Sequence, residues 1–523
     1  MFWNKKRANQ SQKQGNRADI EKKSIYDIIT EKITKDGLPS DFEIEPDEAG
    51  SGIYFQRGAR DGIALFQFGV GEPEDEQKTK IIRAIFFFSQ KKIEEAELIL
   101  NELFENGRML TFVDFVQEQV LEKADIIDLR NLVNGAWWEI LTSNNQECVK
   151  FGLTILALIV TDGNEEIREV IRELALYEEF TFFCLCIMSN WEDAEEEMLQ
   201  IGKKVHGWGR VHVVHFIKAE QIWTKQWLLT EGVDNDVLLN YSAYECYRKG
   251  NMFEKLDTFP TDEEFRGACW IMDGLLDEGP MDGISQVEEA NELFKKFLSH
   301  YYKRTISVDQ YELVRAILYY LEGEEKTSEV EEVIDMCRGI LHSDQCVWVV
   351  SKAAREGKAP ALARAIGLDF SKAWLSLLKS DCKKYSHLAK FLMDDEENVE
   401  WVVAIFEEAY DDLVTGKGDA LWAFDDDVLA EIICLQELKT HVGKGVSLLK
   451  KASFSSVRQL RNMVLNVAEE WMKSSGKKIV EISPSFNEVF VEMLRNEQDD
   501  ELRLRIKGVL ENQIYEPKPI RIG

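Results

Sequence analysis

Along most of this chain, apolar residues recur with the 3.6-residue period of a buried helix face. Ile93, Ala96, Ile99, Leu100, Leu103 and Phe104 form one stripe, and Gly107 is placed to end that helix. Ile126, Leu129, Leu132, Val133, Ala136, Trp137, Ile140 and Leu141 form a second, closed by Ser143-Asn144-Asn145. Asn164 is placed to cap a third, with Glu165 and Glu166 at the positive end of its dipole and Ile167, Val170, Ile171 and Leu174 behind. Helical segments of roughly 12–18 residues, joined by short polar turns, are the grain of a repeat protein. The pattern predicts an all-α fold: an α-solenoid of divergent HEAT- or armadillo-like helix pairs. The motifs of tetratricopeptide and ankyrin units are absent. An irregular all-α domain is the alternative.

One stretch breaks the helical period. Ile53-Tyr54-Phe55-Gln56 and Ile63-Ala64-Leu65-Phe66-Gln67-Phe68 flank the glycine-bearing turn Arg57-Gly58-Ala59-Arg60-Asp61-Gly62. Residues 24–76 are therefore expected to hold a first helix and a small β-hairpin, or an extended plug against the first helices. Two helical-repeat regions follow, 77–255 and 284–515. Between them, Pro260, Gly267, Gly274, Gly279, Pro280 and Gly283 suggest a hinge at 256–283. Residues 1–23 read as a disordered basic tail with Lys5, Lys6, Arg7, Lys13 and Arg17, and residues 516–523 as a short extended tail.

Charge narrows the partners. The formal net charge is -32. Such a chain repels phosphate backbones, so nucleic acid is not expected as a partner; the charge reads first as a device for solubility and secondarily as an aid in selecting basic partners. Nine cysteines are scattered without any C-x-x-C, which suits buried thiols in a reducing cytoplasm. The longest apolar run, residues 151–160, is too short to span a bilayer, so no transmembrane segment is expected.

The densest chemistry-bearing segment is His206-Gly207-Trp208-Gly209-Arg210-Val211-His212-Val213-Val214-His215. His212 and His215 lie one helical turn apart, and with His206 they are the candidate metal ligands. The competing and preferred reading has no metal: Gly207 and Gly209 make a tight corner, and Trp208 wedges between helices under Arg210. No cofactor motif is evident. No G-x-G-x-x-G follows a strand, no Glu-x-x-His occurs, and no cysteine sits in a haem-binding loop. His342-Ser343-Asp344 has a facial-triad spacing but reads better as an exposed turn. Aromatic residues crowd the same region. Trp208, Arg210, Trp223, Trp227, Tyr241 and Tyr244 are the candidate binding surface, although most of the aromatics of this region read as helix–helix core and a minority as lining a concave face.

The segment from His206 to His212, with Trp227-Leu228-Leu229-Thr230-Glu231-Gly232, Asn235 and Tyr241-Ser242-Ala243-Tyr244, resembles a family of bacterial helical-repeat proteins. Some members of that family carry the label limonene hydroxylase. The resemblance is clear over residues 200–250 and is confined elsewhere to helical character. It implies NAD(P)H-linked monooxygenation of limonene to carveol or perillyl alcohol, with no catalytic residues to transfer. Hydroxylation of an unactivated C–H bond needs haem, flavin or a redox metal, and the sequence offers no usual seat for one. From the residues, the expected function is a cytoplasmic scaffold that binds another protein or peptide; limonene oxidation is the alternative.

Overall fold

A computed structural model describes residues 23–44, 55–414 and 426–513. The expected tail at 1–23 falls outside these residues except for Lys23, and the tail at 516–523 falls outside entirely.

The fold is all-α. Among the described residues there are 29 α-helices and no strand, with one isolated bridge between Thr34 and Gly37. The described residues form two compact units, those within 1–303 and 320–333, and those within 304–319 and 334–523.

In the first unit successive helices pack as pairs: Asp75–Ser89 on Ile93–Phe104, Leu129–Thr142 on Gln146–Leu156, and Glu165–Ala175 on Glu178–Met188. Helix starts follow the signals in the sequence. The Asn145 side chain accepts from the backbone N–H of Glu147 and Cys148, and Asn164 accepts from that of Ile167. Each satisfies donors that the first helical turn cannot pair internally. The expected hinge window contains the 15-residue helix Asp262–Leu276, started by a capping box of Thr261 and Glu264. Its glycines permit close packing rather than a bend. A Cβ on Gly267 would lie 1.9 Å from the carbonyl oxygen of Leu229, and one on Gly274 2.7 Å from Ala243 Cβ.

The second unit repeats the pairing, with Val399–Val414 on Asp426–Glu437, and Pro484–Asn496 on Asp500–Leu510. Two of its fully buried tryptophans tie helices to neighbouring backbone. Trp374 Nε1 donates to Ala354 O at 2.8 Å and Trp471 Nε1 to Leu438 O at 2.7 Å. A buried indole N–H needs such a partner.

The β-hairpin is not formed. Ile53 and Tyr54 lie outside the described residues, while the chain from Ala59 to Ile63 is α-helical and from Ala64 to Phe68 a π-helix. In a hairpin Asp61 would occupy a solvated turn. Here it enters the core against two cations, and Phe66 turns onto Trp208, which calls for helical rather than alternating spacing. The alternative, an extended plug against the first helices, differs from the structure as well: the segment is helical and packs on Trp208, Val211 and Tyr241.

Candidate functional site

The helix Gly207–Phe216 carries the motif. His206 precedes it in extended backbone, and Gly207 makes the turn with φ +54°, a conformation open to glycine at little cost. Trp208 through Val214 are all buried, so the helix is enclosed on every side rather than amphipathic. Gly209 allows this enclosure: a Cβ there would come within 3.0 Å of Glu178 Cγ. At the other end Lys249 Nζ donates to the carbonyls of Val214 and His215 at 2.8 and 2.7 Å. A cation thus meets the negative pole of the helix.

His206 stands apart from His212 and His215, which both lie against the Phe66 ring. His206 is exposed, its Nδ1 2.9 Å from Asp236 Oδ2. His212 lies between the rings of Phe66 and Phe182, with centroids 5.6 and 5.4 Å away, and burial drives its pKa down to about 3. His215 Nε2 donates to Tyr241 O at 2.7 Å, and burial lowers its pKa despite that bond. Among the described residues no three His, Cys, Asp or Glu side chains gather into a group that could hold a metal. His342 accepts the reading of an exposed turn, with Nδ1 bonded to Arg338 O in the helix Ser328–Leu341 that precedes it and Ser343 capping the next.

Of the six candidate surface residues, Trp208, Arg210, Trp227 and Tyr241 are buried and Tyr244 is half-buried. Only Trp223 is exposed, at 51%. As members of a binding surface these four are corrected to the core, where the wedge reading also places Trp208. Helix–helix contact consumes their apolar area, the largest stabilising quantity an aromatic ring offers. Trp208 packs on Tyr241, with ring centroids 4.8 Å apart, and on Phe66 at 6.0 Å. Arg210 does not cover Trp208 by a cation–π contact. Its Nε donates to Val205 O at 3.0 Å and its Nη1 to Asp234 O at 2.7 Å, which closes the loops on either side. Fully buried Asn235 orders the following turn, donating to Leu238 O and Ser242 Oγ and accepting from Val237 N–H.

Beside this core lies a charged hub that periodicity did not reveal. Lys150 is 0% exposed, and its Nζ lies 2.7 Å from Asp61, 2.9 Å from Glu147 and 2.6 Å from Glu179. Arg108 reaches Asp61 at 2.6 Å and Glu179 at 3.4 Å. Three carboxylates thus face two cations, and two backbone donors absorb the remaining charge: Gly58 N–H on Glu179 at 2.7 Å and Met109 N–H on Glu147 at 2.6 Å. Burial alone would raise the Asp61 pKa, but Lys150 and Arg108 outweigh it and hold the carboxyl below its usual range. Burial likewise disfavours the Lys150 ammonium, and Asp61, Glu147 and Glu179 overcome it. The one sequence signal was a lysine inside the uniformly apolar turn Cys148-Val149-Lys150-Phe151, since a buried lysine demands partners.

The hub fastens one end of the 57–70 segment. Arg57 Nε adds an ion pair to Glu178 at 3.0 Å. At Gly62 the backbone presses on Trp208 so closely that a Cβ would lie 2.1 Å from the indole. Beyond that point Ile63 and Phe66 pack on a core of Ala59, Trp208, Val211 and Tyr241.

Two other buried carboxyls lack such partners. Neither oxygen of Glu431, 0% exposed in the second unit, has a hydrogen-bond partner among the described residues, and neither does Glu139 Oε1 in the first. Burial pushes both pKa values up to about 8, helped at Glu139 by Glu97 and opposed at Glu431 by Lys451.

No family model and no curated protein matches the chain. Among solved structures, a circular tandem repeat protein with novel repeat topology and enhanced subunit contact surfaces is similar at 16% identity. The match covers 83% of this chain and 96% of that one, with a TM-score of 0.18, too low to bear on fold or function. No helix among the described residues is long and apolar enough to cross a membrane.

Proposed function

We propose that this chain is a non-catalytic helical scaffold that binds a basic protein or peptide. The observation that carries this reading is the display of single, exposed tryptophans on an acidic chain. Trp223 in the first unit and Trp348 and Trp401 in the second are 51%, 67% and 69% exposed. Tryptophan is the residue most enriched among binding anchors. Around Trp401, the exposed Glu397, Glu400, Glu408 and Asp411 supply the complementary field for a basic partner. The test is affinity capture at increasing salt, with the wild type beside Trp223→Ser/Trp348→Ser/Trp401→Ser. A basic partner held at low salt, released as salt screens the field, and lost at least tenfold by the variant is expected. Equal recovery by both proteins would remove the reading.

A second reading, limonene hydroxylation with NAD(P)H, rests on the resemblance of the 206–244 motif. The supporting observation is that Trp208, His212, His215 and Tyr241 surround Phe66 with the apolar rings a monoterpene would touch. These residues do not fit a redox metal, since among the described residues no third His, Cys, Asp or Glu side chain joins His212 and His215 in a group that could hold one. An absorption spectrum with metal and flavin analysis, followed by turnover with NAD(P)H, tests it. A colourless, metal-free and inactive preparation would end it.

A further inference from the structure

The 57–70 segment is tightly held at one end and weakly at the other. Its first half enters the charged hub through Gly58 and Asp61. Its second half, Ala64–Phe68, has no buried residue, and Phe68 is 77% exposed. The backbone there is a π-helix, a geometry rarely adopted except as a short piece, often at functional sites. The chain leaves through Gly69, with φ +77°, and Gly71, both in open space. Segments with few buried contacts open locally at low cost while the rest of the fold stays closed.

What this loose half covers is specific. The Phe66 ring lies 4.8 Å from His215, 5.6 Å from His212 and 6.0 Å from both Trp208 and Tyr241. The Gln67 amide donates to the Tyr241 hydroxyl. The four surrounding rings belong to helices fixed from elsewhere: by Lys249 on the end of Gly207–Phe216, and by Arg210 and Asn235 on the loops between. The pocket is therefore built by residues other than the segment that fills it.

We propose that Phe66-Gln67 is an internal stand-in for a partner's segment, and that the pocket beneath it docks an aromatic side chain followed by a side-chain amide. This specifies one docking site for the scaffold function above and rests on that reading. The partner displaces residues 64–70, which swing from the hub-anchored end, and its aromatic ring takes the place of Phe66. The exposed tryptophans supply separate contacts.

The test uses a fluorescein-labelled peptide with the sequence of residues 60–71 and the full-length chain. Phe66→Ala/Gln67→Ala should bind this peptide at least tenfold more tightly than the wild type, and a peptide with alanine for its Phe66 should not bind. Hydrogen exchange of the wild type gives a second measurement should the variant misfold. Amides of residues 64–70 should exchange faster than those of 59–62, and excess peptide should speed them further. No peptide binding by a folded variant, equal binding of the alanine peptide, or exchange at 64–70 as slow as in Gly207–Phe216 would each overturn the proposal. None of these readouts involves an external partner. Their failure is thus distinct from failure of the tryptophan capture experiment.

Discussion

The hub at Lys150 and the carboxyl at Glu431 bury charge in opposite ways. Lys150 has three carboxylates within 2.9 Å and stays charged, whereas Glu431 has no hydrogen-bond partner among the described residues and keeps its proton to about pH 8. Burial is complete in both cases, so partners alone make the difference. The pH responses therefore have opposite signs. Asp61 has a depressed folded pKa, so its contribution is present above the unfolded value of 3.8 and lost as pH falls through the folded one. Glu431 has a raised folded pKa. Its unfolded form releases the proton near 4.5 while the folded form holds it, so stability declines as pH rises from 4.5 to about 8.

The most drastic way to break this contrast is Lys150→Met. It strands Asp61, Glu147 and Glu179 with Arg108 alone, and should cost about 3–5 kcal/mol in urea unfolding, with the first unit losing structure before the second. A loss below ~1 kcal/mol would mean that the hub's charges are not paired as described. Next in size, Glu431→Met should raise stability at pH 8–9 by about 2–4 kcal/mol, below the ~5 kcal/mol that a rise from 4.5 to about 8 represents at ~1.4 kcal/mol per pKa unit. The gain should vanish at pH 4.5, which thermal unfolding across that pH range would show. A gain independent of pH would assign the effect to packing instead. Arg57→Met removes one ion pair at the hub's margin and should cost about 2 kcal/mol, leaving Asp61 paired. Lys80→Met, which breaks the surface pairs with Glu76 and Glu102, should leave the unfolding midpoint unmoved.

The helical grain was legible because amphipathic spacing and cap chemistry are local. The stripe from Ile93 to Phe104 became the helix Ile93–Phe104, and Asn164 capped the helix expected after it. The expected stripe from Ile126 begins only at Leu129, because Asp128 accepts from Asn131 N–H and starts the helix there. The site was less legible, since its geometry depends on residues far apart in sequence. Asp61, Arg108, Lys150 and Glu179 meet across 118 positions, and no period records that meeting. The same distance concealed the helical form of residues 59–68, whose apolar positions satisfy strand spacing and helix spacing alike until Trp208 and Lys150 decide between them. The sequence could not sort the tryptophans into core and surface for a related reason. An aromatic side chain looks the same in a core as on a binding face, and only the neighbouring helices separate Trp227 from Trp223.

The contact between Gly62 and Trp208 leaves a rule for anyone resculpting this protein. Volume at these two positions is conserved as a sum, so a methyl group gained at 62 must be matched by atoms surrendered from the indole. Trimming position 208 alone would open a hollow under the 57–70 segment, whereas a paired exchange could shift the seam between the two elements without unseating either.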